Sequence, residues 1–173
     1  FGGGSRWTRQ AVLTREGLLI VRDVYQSGKA TDGWQAGPTW QCRGEGEPAV
    51  HAPRQNWFDA PAWDHAWWQK EKKRLLVSIH AEKGRSYGVD RHRTSQDISG
   101  APTDGFFAKA NVVAGRASVF LSVLIPHNAG EKPAEVAKRI ETKVDGTGNA
   151  TAKIGKVRVS IKADGTWKVT HDA

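Results

Sequence analysis

The sequence predicts an all-β domain, most simply an antiparallel two-sheet β-sandwich. Three observations lead there. Roughly nine strand-sized runs rich in β-branched and aromatic residues are separated by turn residues; no segment carries the period of a long amphipathic helix; and the C-terminal end alternates apolar and polar residues about an Asp-Gly turn. No internal repeat is evident. Patterning of this kind does not separate two stacked sheets from a closed barrel, so a barrel stays open as the alternative.

The elements follow in chain order. Trp7 to Thr14 alternates crudely, Arg15-Glu16-Gly17 supplies a tight turn, and Gly17 to Tyr25 is a β-branched and aromatic run, so the three form a hairpin. The second run, about nine residues long and opened by a Gly, resembles a strand buried on both faces more than a helix. From Gln26 to Leu75 the chain is irregular, with a strand expected at Thr39 to Arg43, and a short helix or ordered loop at Ala62 to Lys73. Loops of such length in compact domains are functional or packed by their own side chains. Lys70 to Arg74 reads as a solvated turn before a strand at Leu75 to His80. Glu82 to Gly105 is polar, with Ser86 to Thr94 as a loop. Phe106 to Val113 and Ala117 to Ile125 form two strands about a Gly115 turn, and Pro126 ends the second. Glu131 to Lys143 holds a short helical turn. Ala152 to Ile154, Lys156 to Lys162 and Thr166 to Thr170 close the chain, with Ala163-Asp164-Gly165 turning the last hairpin.

A chain of 173 residues fits one domain with a sizeable core. Lys and Arg number 26 against 18 Asp and Glu, a net charge of +8 that attracts anionic polymers. No apolar run approaches the roughly 18 residues a membrane helix needs, so a membrane partner is not expected. The basic residues are dispersed and no RNA-binding aromatic pattern is present, so nucleic acid is not expected either. Cys42 stands alone, which removes an internal disulfide and a cysteine zinc site. Phe1 to Ser5 has no Met and no apolar signal region; residues 1–5 read as a linker, an artificial junction or an exposed loop where a longer polypeptide was cut, and residues 6–173 as the β-sandwich.

The chemistry-bearing signal is tryptophan. The chain has 8, and Trp34, Trp40, Trp57, Trp63, Trp67 and Trp68 lie among Gly, Pro, Asp, His and Gln rather than in aliphatic runs. An indole offers a flat apolar face with a polar edge, which suits a sugar ring or a base, although Trp is also highly buried on average. Trp34, Trp57, Trp63 and Trp67 are the candidate stacking platforms. Arg91, His92 and Arg93 are the candidate grip for an acidic sugar, because a guanidinium fork binds carboxylate or sulfate in two places at once. Six histidines are present, but no zinc-type spacing, nucleophile elbow, phosphate loop or dinucleotide fingerprint. Nothing calls for a metal or a cofactor, and no catalytic residue is assigned. Asp64-His65 and Asp90 to Arg93 set acids beside imidazoles in sequence, which on a strand puts them on opposite faces.

The order of the pieces carries a resemblance. Arg6 to Leu13, then Gly17 to Tyr25 with Val21-Arg22-Asp23, then Gly37-Pro38-Thr39-Trp40-Gln41-Cys42, and finally Phe120 to Pro126 with its Leu-x-Pro ending, resemble the C-terminal β-sandwich of heparinase II/III-like polysaccharide lyases. The resemblance implies an N-terminal α-helical toroid as partner domain, β-elimination on uronate-containing polysaccharides, and a secreted or periplasmic location. It also implies that the Asn and Tyr of the reaction come from the toroid and a His from sandwich residues upstream of the region matched. His127-Asn128 copies a family dipeptide but follows the Leu-x-Pro strand, so no role is carried onto it. Taken alone, the chain is then expected to bind acidic polysaccharide without cleaving it. Two other readings use the same residues: a stand-alone carbohydrate-binding module with Trp platforms, and a structural sandwich in which every Trp is buried.

Overall fold

A computed structural model describes residues 4–29, 33–43, 47–48, 56–60, 73–92 and 103–172. The strands are β1 (Arg6–Leu13), β2 (Leu19–Gln26), β3 (Gln35–Ala36), β4 (Thr39–Arg43), β5 (Glu47–Pro48), β6 (Trp57–Ala60) and β7 (Lys73–Ile79). They continue with β8 (Arg85–His92), β9 (Thr103–Asn111), β10 (Ala117–Asn128), β11 (Ile140–Val144), β12 (Ala150–Ile154), β13 (Val157–Ile161) and β14 (Trp167–His171). One short helix, α1 (Pro133–Ala137), precedes β11.

The all-β antiparallel sandwich expected from the sequence is the fold found, with one layer more than the expected two sheets. A central six-stranded sheet runs β1-β2-β10-β7-β6-β5; a four-stranded sheet runs β11-β12-β13-β14; and β9 pairs β8 on one side and β3 and β4 on the other. The central sheet is covered on both faces, and β10 shows why. Leu121, Val123 and Ile125 point into one core with Ile20, Leu76, Ala152, Val159 and Ile161. Phe120 and Leu124, the alternate positions, point into a second core with Phe58, Val77, Ile79 and Phe106. Period-two alternation thus feeds two cores from one strand, and each fully buried aliphatic or aromatic side chain contributes roughly 1.5–3 kcal/mol. The burial of β2 on both faces, between β1 and β10, has the same cause.

The β1–β2 hairpin turns through Gly17 at φ 80°. Thr14 N and Gly17 N bond to Leu18 O and Thr14 O across it. The β13–β14 hairpin turns through Gly165 at φ 94°, with Asp164 Oδ1 accepting from Thr166 N and Oγ1. Glycine adopts these left-handed conformations without the Cβ penalty.

Four local expectations are corrected. Ser86 to Thr94, read as a loop, lies largely in β8, which pairs with β9 from Arg85↔Ala110 to His92↔Thr103. Its Gly88 suits the strand because a Cβ there would lie 2.5 Å from the Phe107 ring laid across it. Trp57–Ala60 is a strand inside the stretch read as irregular, Lys73 and Arg74 open β7 rather than a solvated turn, and β10 runs on to Asn128 where Pro126 was expected to end it. The expected helix or loop from Ala62 lies mostly outside the described residues.

Candidate functional site

The three sheets meet at one end in a polar cleft of about 690 Å³. Arg22 of β2 lines it from the central sheet, Lys83 and Arg85 come from the turn into β8, Arg116 from the turn before β10, and Asp145 and Gly148 from the β11–β12 turn. Four cations therefore face this space.

They are not held alike. Arg85 donates from Nε and Nη2 to Glu82 Oε2 at 3.1 and 2.8 Å and from Nη2 to Val119 O, and its guanidinium lies 4.3 Å above the Phe120 ring. That leaves it as a fixed wall. Arg22 is only 4% exposed; its Nε donates to Gly148 O at 2.8 Å and Nη1 to Gln10 Oε1 at 2.6 Å. Burial pulls its pKa below the usual guanidinium value. Lys83 and Arg116 are exposed. The Asp145 carboxylate is consumed by its own turn, accepting from Thr147 N and Oγ1 and from Asn149 N and Nδ2, which lowers its pKa to about 2.

Trp34 stands beside this end of the molecule. Its carbonyl accepts from Val112 N at 2.9 Å, next to the cleft residue Asn111, and the residue is 56% exposed. Trp57 lies elsewhere, half-buried against the core on the opposite face of the central sheet. It borders a smaller cavity of about 340 Å³ with Asn56, Ser78, His80 and Thr142. There His80 Nδ1 is 2.9 Å from Thr142 Oγ1, and burial lowers the His80 pKa. The structure therefore separates Trp34 from Trp57. Trp63, Trp67 and Arg93 lie outside the described residues. Arg91 and His92 sit at the end of β8, opposite Asp104 and Thr103, about 20 Å of strand away from Arg85 and the cleft.

The resemblance-bearing residues come together as a network under the third sheet. Asp23, 1% exposed, accepts from Trp7 Nε1 and, bidentately, from Arg9; Arg9 lies 5.0 Å from the Trp40 ring centroid, and Trp40 Nε1 donates to Ser122 Oγ. This ties β1, β2, β4 and β10 together. His127 is not near the cleft; it is buried with Nε2 at 2.7 Å from Asp59 Oδ1 and Nδ1 at 3.0 Å from Asn128 O, and Arg74 donates to Asp59 Oδ2. Among the described residues no three His, Cys, Asp or Glu side chains converge as a metal site requires. No helix among them is long and apolar enough to cross a membrane. The reading in which every Trp is buried is overturned: Trp7, Trp34 and Trp167 are 41%, 56% and 62% exposed.

The cleft cations escaped the sequence reading because they are scattered from position 22 to position 116. One signal was available: Arg22 and Asp23 interrupt an otherwise apolar run, in a strand expected to be buried on both faces.

No protein-family model matches the chain, and no curated protein matches it in sequence. Solved structures do share its fold. A mutant of the heparan sulfate lyase HepC from Pedobacter heparinus superposes with a TM-score of 0.55 at 13% identity, covering 89% of this chain and 22% of that one. HepC itself gives 0.54 at 11% identity, over 99% and 26% of the two chains. A heparinase III, the BT4657 gene product, gives 0.54 at 9% identity, over 97% and 26%. In fold, the chain is similar to a portion making up about a quarter of these lyases.

Proposed function

We propose that this chain is the C-terminal β-sandwich domain of a polysaccharide lyase, working beside an α-helical toroid, and that it helps hold an acidic, uronate-containing polysaccharide. The observation that carries this is the fold match across nearly the whole chain to lyases whose names place them on heparan sulfate. The net charge of +8, the cationic cleft and the exposed Trp34 beside it support the glycan part of the reading.

The bond-breaking groups lie beyond the residues described. β-Elimination needs a base for the proton α to the uronate carboxylate, a partner for the charge that develops there, and an acid for the leaving oxygen. Among the described residues these do not converge: His127 is enclosed by Asp59 and Asn128, Tyr87 Oη donates to His80 O, and Tyr25 is 4% exposed. A secreted or periplasmic location accompanies this reading.

Residues 1–173 should bind heparan sulfate, hyaluronan or alginate without producing the ultraviolet absorbance of unsaturated uronides. Turnover by the chain alone would overturn the division of labour, and failure to bind any of the three would overturn the glycan reading.

A further inference from the structure

Arg22 poses a question of charge balance. Arg85, the other arginine held against the cleft wall, has a carboxylate partner in Glu82, and elsewhere in the fold Arg9 has Asp23 and Arg74 has Asp59. Arg22 has none among the described residues. Its two hydrogen bonds go to a backbone carbonyl and a side-chain amide, both neutral, although the residue is 96% withdrawn from solvent. A buried charge is costly unless paired, and an arginine keeps its proton, so the counter-charge has to come from elsewhere. The neighbouring carboxylates do not provide it. Asp145 is saturated by Thr147 and Asn149, and Glu82 is taken by Arg85.

The surroundings keep room for a ligand. Gly148 has φ 85°, and a Cβ there would come within 3.3 Å of Arg22 Nη2, so a larger residue would crowd the guanidinium. Lys83 and Arg116 line the same cleft, are exposed and make no ion pair among the described residues. Of its four cations and two carboxylates, Arg85 and Glu82 cancel and Asp145 serves its turn, which leaves Arg22, Lys83 and Arg116 without a counter-charge among the described residues.

We infer that this cleft is an oxyanion subsite for an acidic sugar, with Arg22 at its floor taking a sulfate or carboxylate group and Lys83 and Arg116 at its rim. A guanidinium donates to two oxygens of such a group at once, and charge-assisted bonds in a partly dry cleft outweigh exposed ion pairs. The site rests on the glycan reading and gives it a place. Trp34, anchored beside the cleft wall, adds an apolar face along the same end of the molecule.

Titration calorimetry of residues 1–173 with heparan sulfate and hyaluronan hexasaccharides tests it. Lys83→Ala/Arg116→Ala, two exposed positions that leave folding intact, should weaken binding by about tenfold or more. Arg22→Gln should abolish the remainder with the circular-dichroism spectrum unchanged, and if that variant does not fold, the double variant decides. Lys156→Ala, in the turn at the far end of the C-terminal sheet, should bind as the parent does. Preference for the sulfated oligosaccharide would assign the floor to sulfate, and equal affinity would assign it to carboxylate. Parent binding left intact by the cleft variants would remove this site and leave the glycan reading standing; a parent chain that binds neither hexasaccharide would remove both.

Discussion

Asp59 has no exposure at all, yet it meets two basic side chains: Arg74 Nε at 2.6 Å and His127 Nε2 at 2.7 Å. Its removal strands both partners in a protein interior, and breaking a buried pair from one side costs far more than the pair contributes net. Asp59→Ala should therefore lower unfolding free energy by about 3–5 kcal/mol in urea denaturation; a loss well below about 1 kcal/mol would mean that water reaches the cluster. Phe58, the next residue in β6, points to the opposite core and stacks on Phe106 with ring centroids 6.0 Å apart. Phe58→Ala should cost about 3–5 kcal/mol as a cavity, measured the same way, and a near-neutral result would mean that the second core closes over the gap. Of the buried acids, Asp23 was legible only as part of the Val21-Arg22-Asp23 run and Asp59 not at all, and neither could be matched to its base. Each follows or precedes apolar residues in a strand, and their basic partners lie 14 and 15 positions away, at distances that no local spacing rule connects.

At the scale of elements, the β11–β12 turn is a self-contained acid-sensitive unit. The Asp145 carboxylate accepts from Thr147 and Asn149 and is held down at about 2, against an ordinary 3.8. A carboxylate whose pKa is lower in the folded chain stabilises it fully above the unfolded value, and that stabilisation is lost as pH falls from 3.8 toward 2. Carboxyl carbon shifts should give Asp145 a midpoint near 2, whereas a midpoint near 3.8 would show that the turn bonds are not made in solution. The link between β3 and β4 makes a second test. A Cβ on Gly37 would fall 1.8 Å from Ala108 O, and Ala108 N donates to Pro38 O there, so Gly37→Ala must push the link off β9. It should destabilise by about 1–3 kcal/mol in the same denaturation experiment, as overpacking does.

These elements also show what the sequence made legible. β2, β10 and the β13–β14 hairpin were readable because burial on both faces leaves a predominantly apolar run, and burial on one face leaves clean alternation bounded by Gly. β8 was not. Its outward positions are Ser86, Gly88 and Asp90, and its polar and glycine content imitates a loop until Phe107 is laid over Gly88. The third sheet was hidden with it, because half of its pairing partners fall in that strand. Of the platform candidates, the structure exposes Trp34 and half-buries Trp57, a difference set by which layer covers each and not by the neighbouring residues.

Across the whole molecule, the second covering layer gives the central sheet two cores and brings three sheet ends to one rim. Residues distant in sequence, from Arg22 to Asp145, then share one cleft. The net charge of +8 adds a long-range attraction that steers an anionic polymer toward that rim and is screened by salt, with a Debye length of about 10 Å at 0.1 M. Binding should thus weaken steeply as salt rises, while the buried Arg22 contact confers a remainder that salt screens less. The most direct measurement is titration of residues 1–173 with a heparan sulfate hexasaccharide across a range of salt concentrations, beside an uncharged dextran oligosaccharide of equal length. Saturable, salt-weakened binding of the sulfated sugar with none to dextran is the expected result; no binding to either, or equal binding to both, would contradict an acidic-glycan role for this domain.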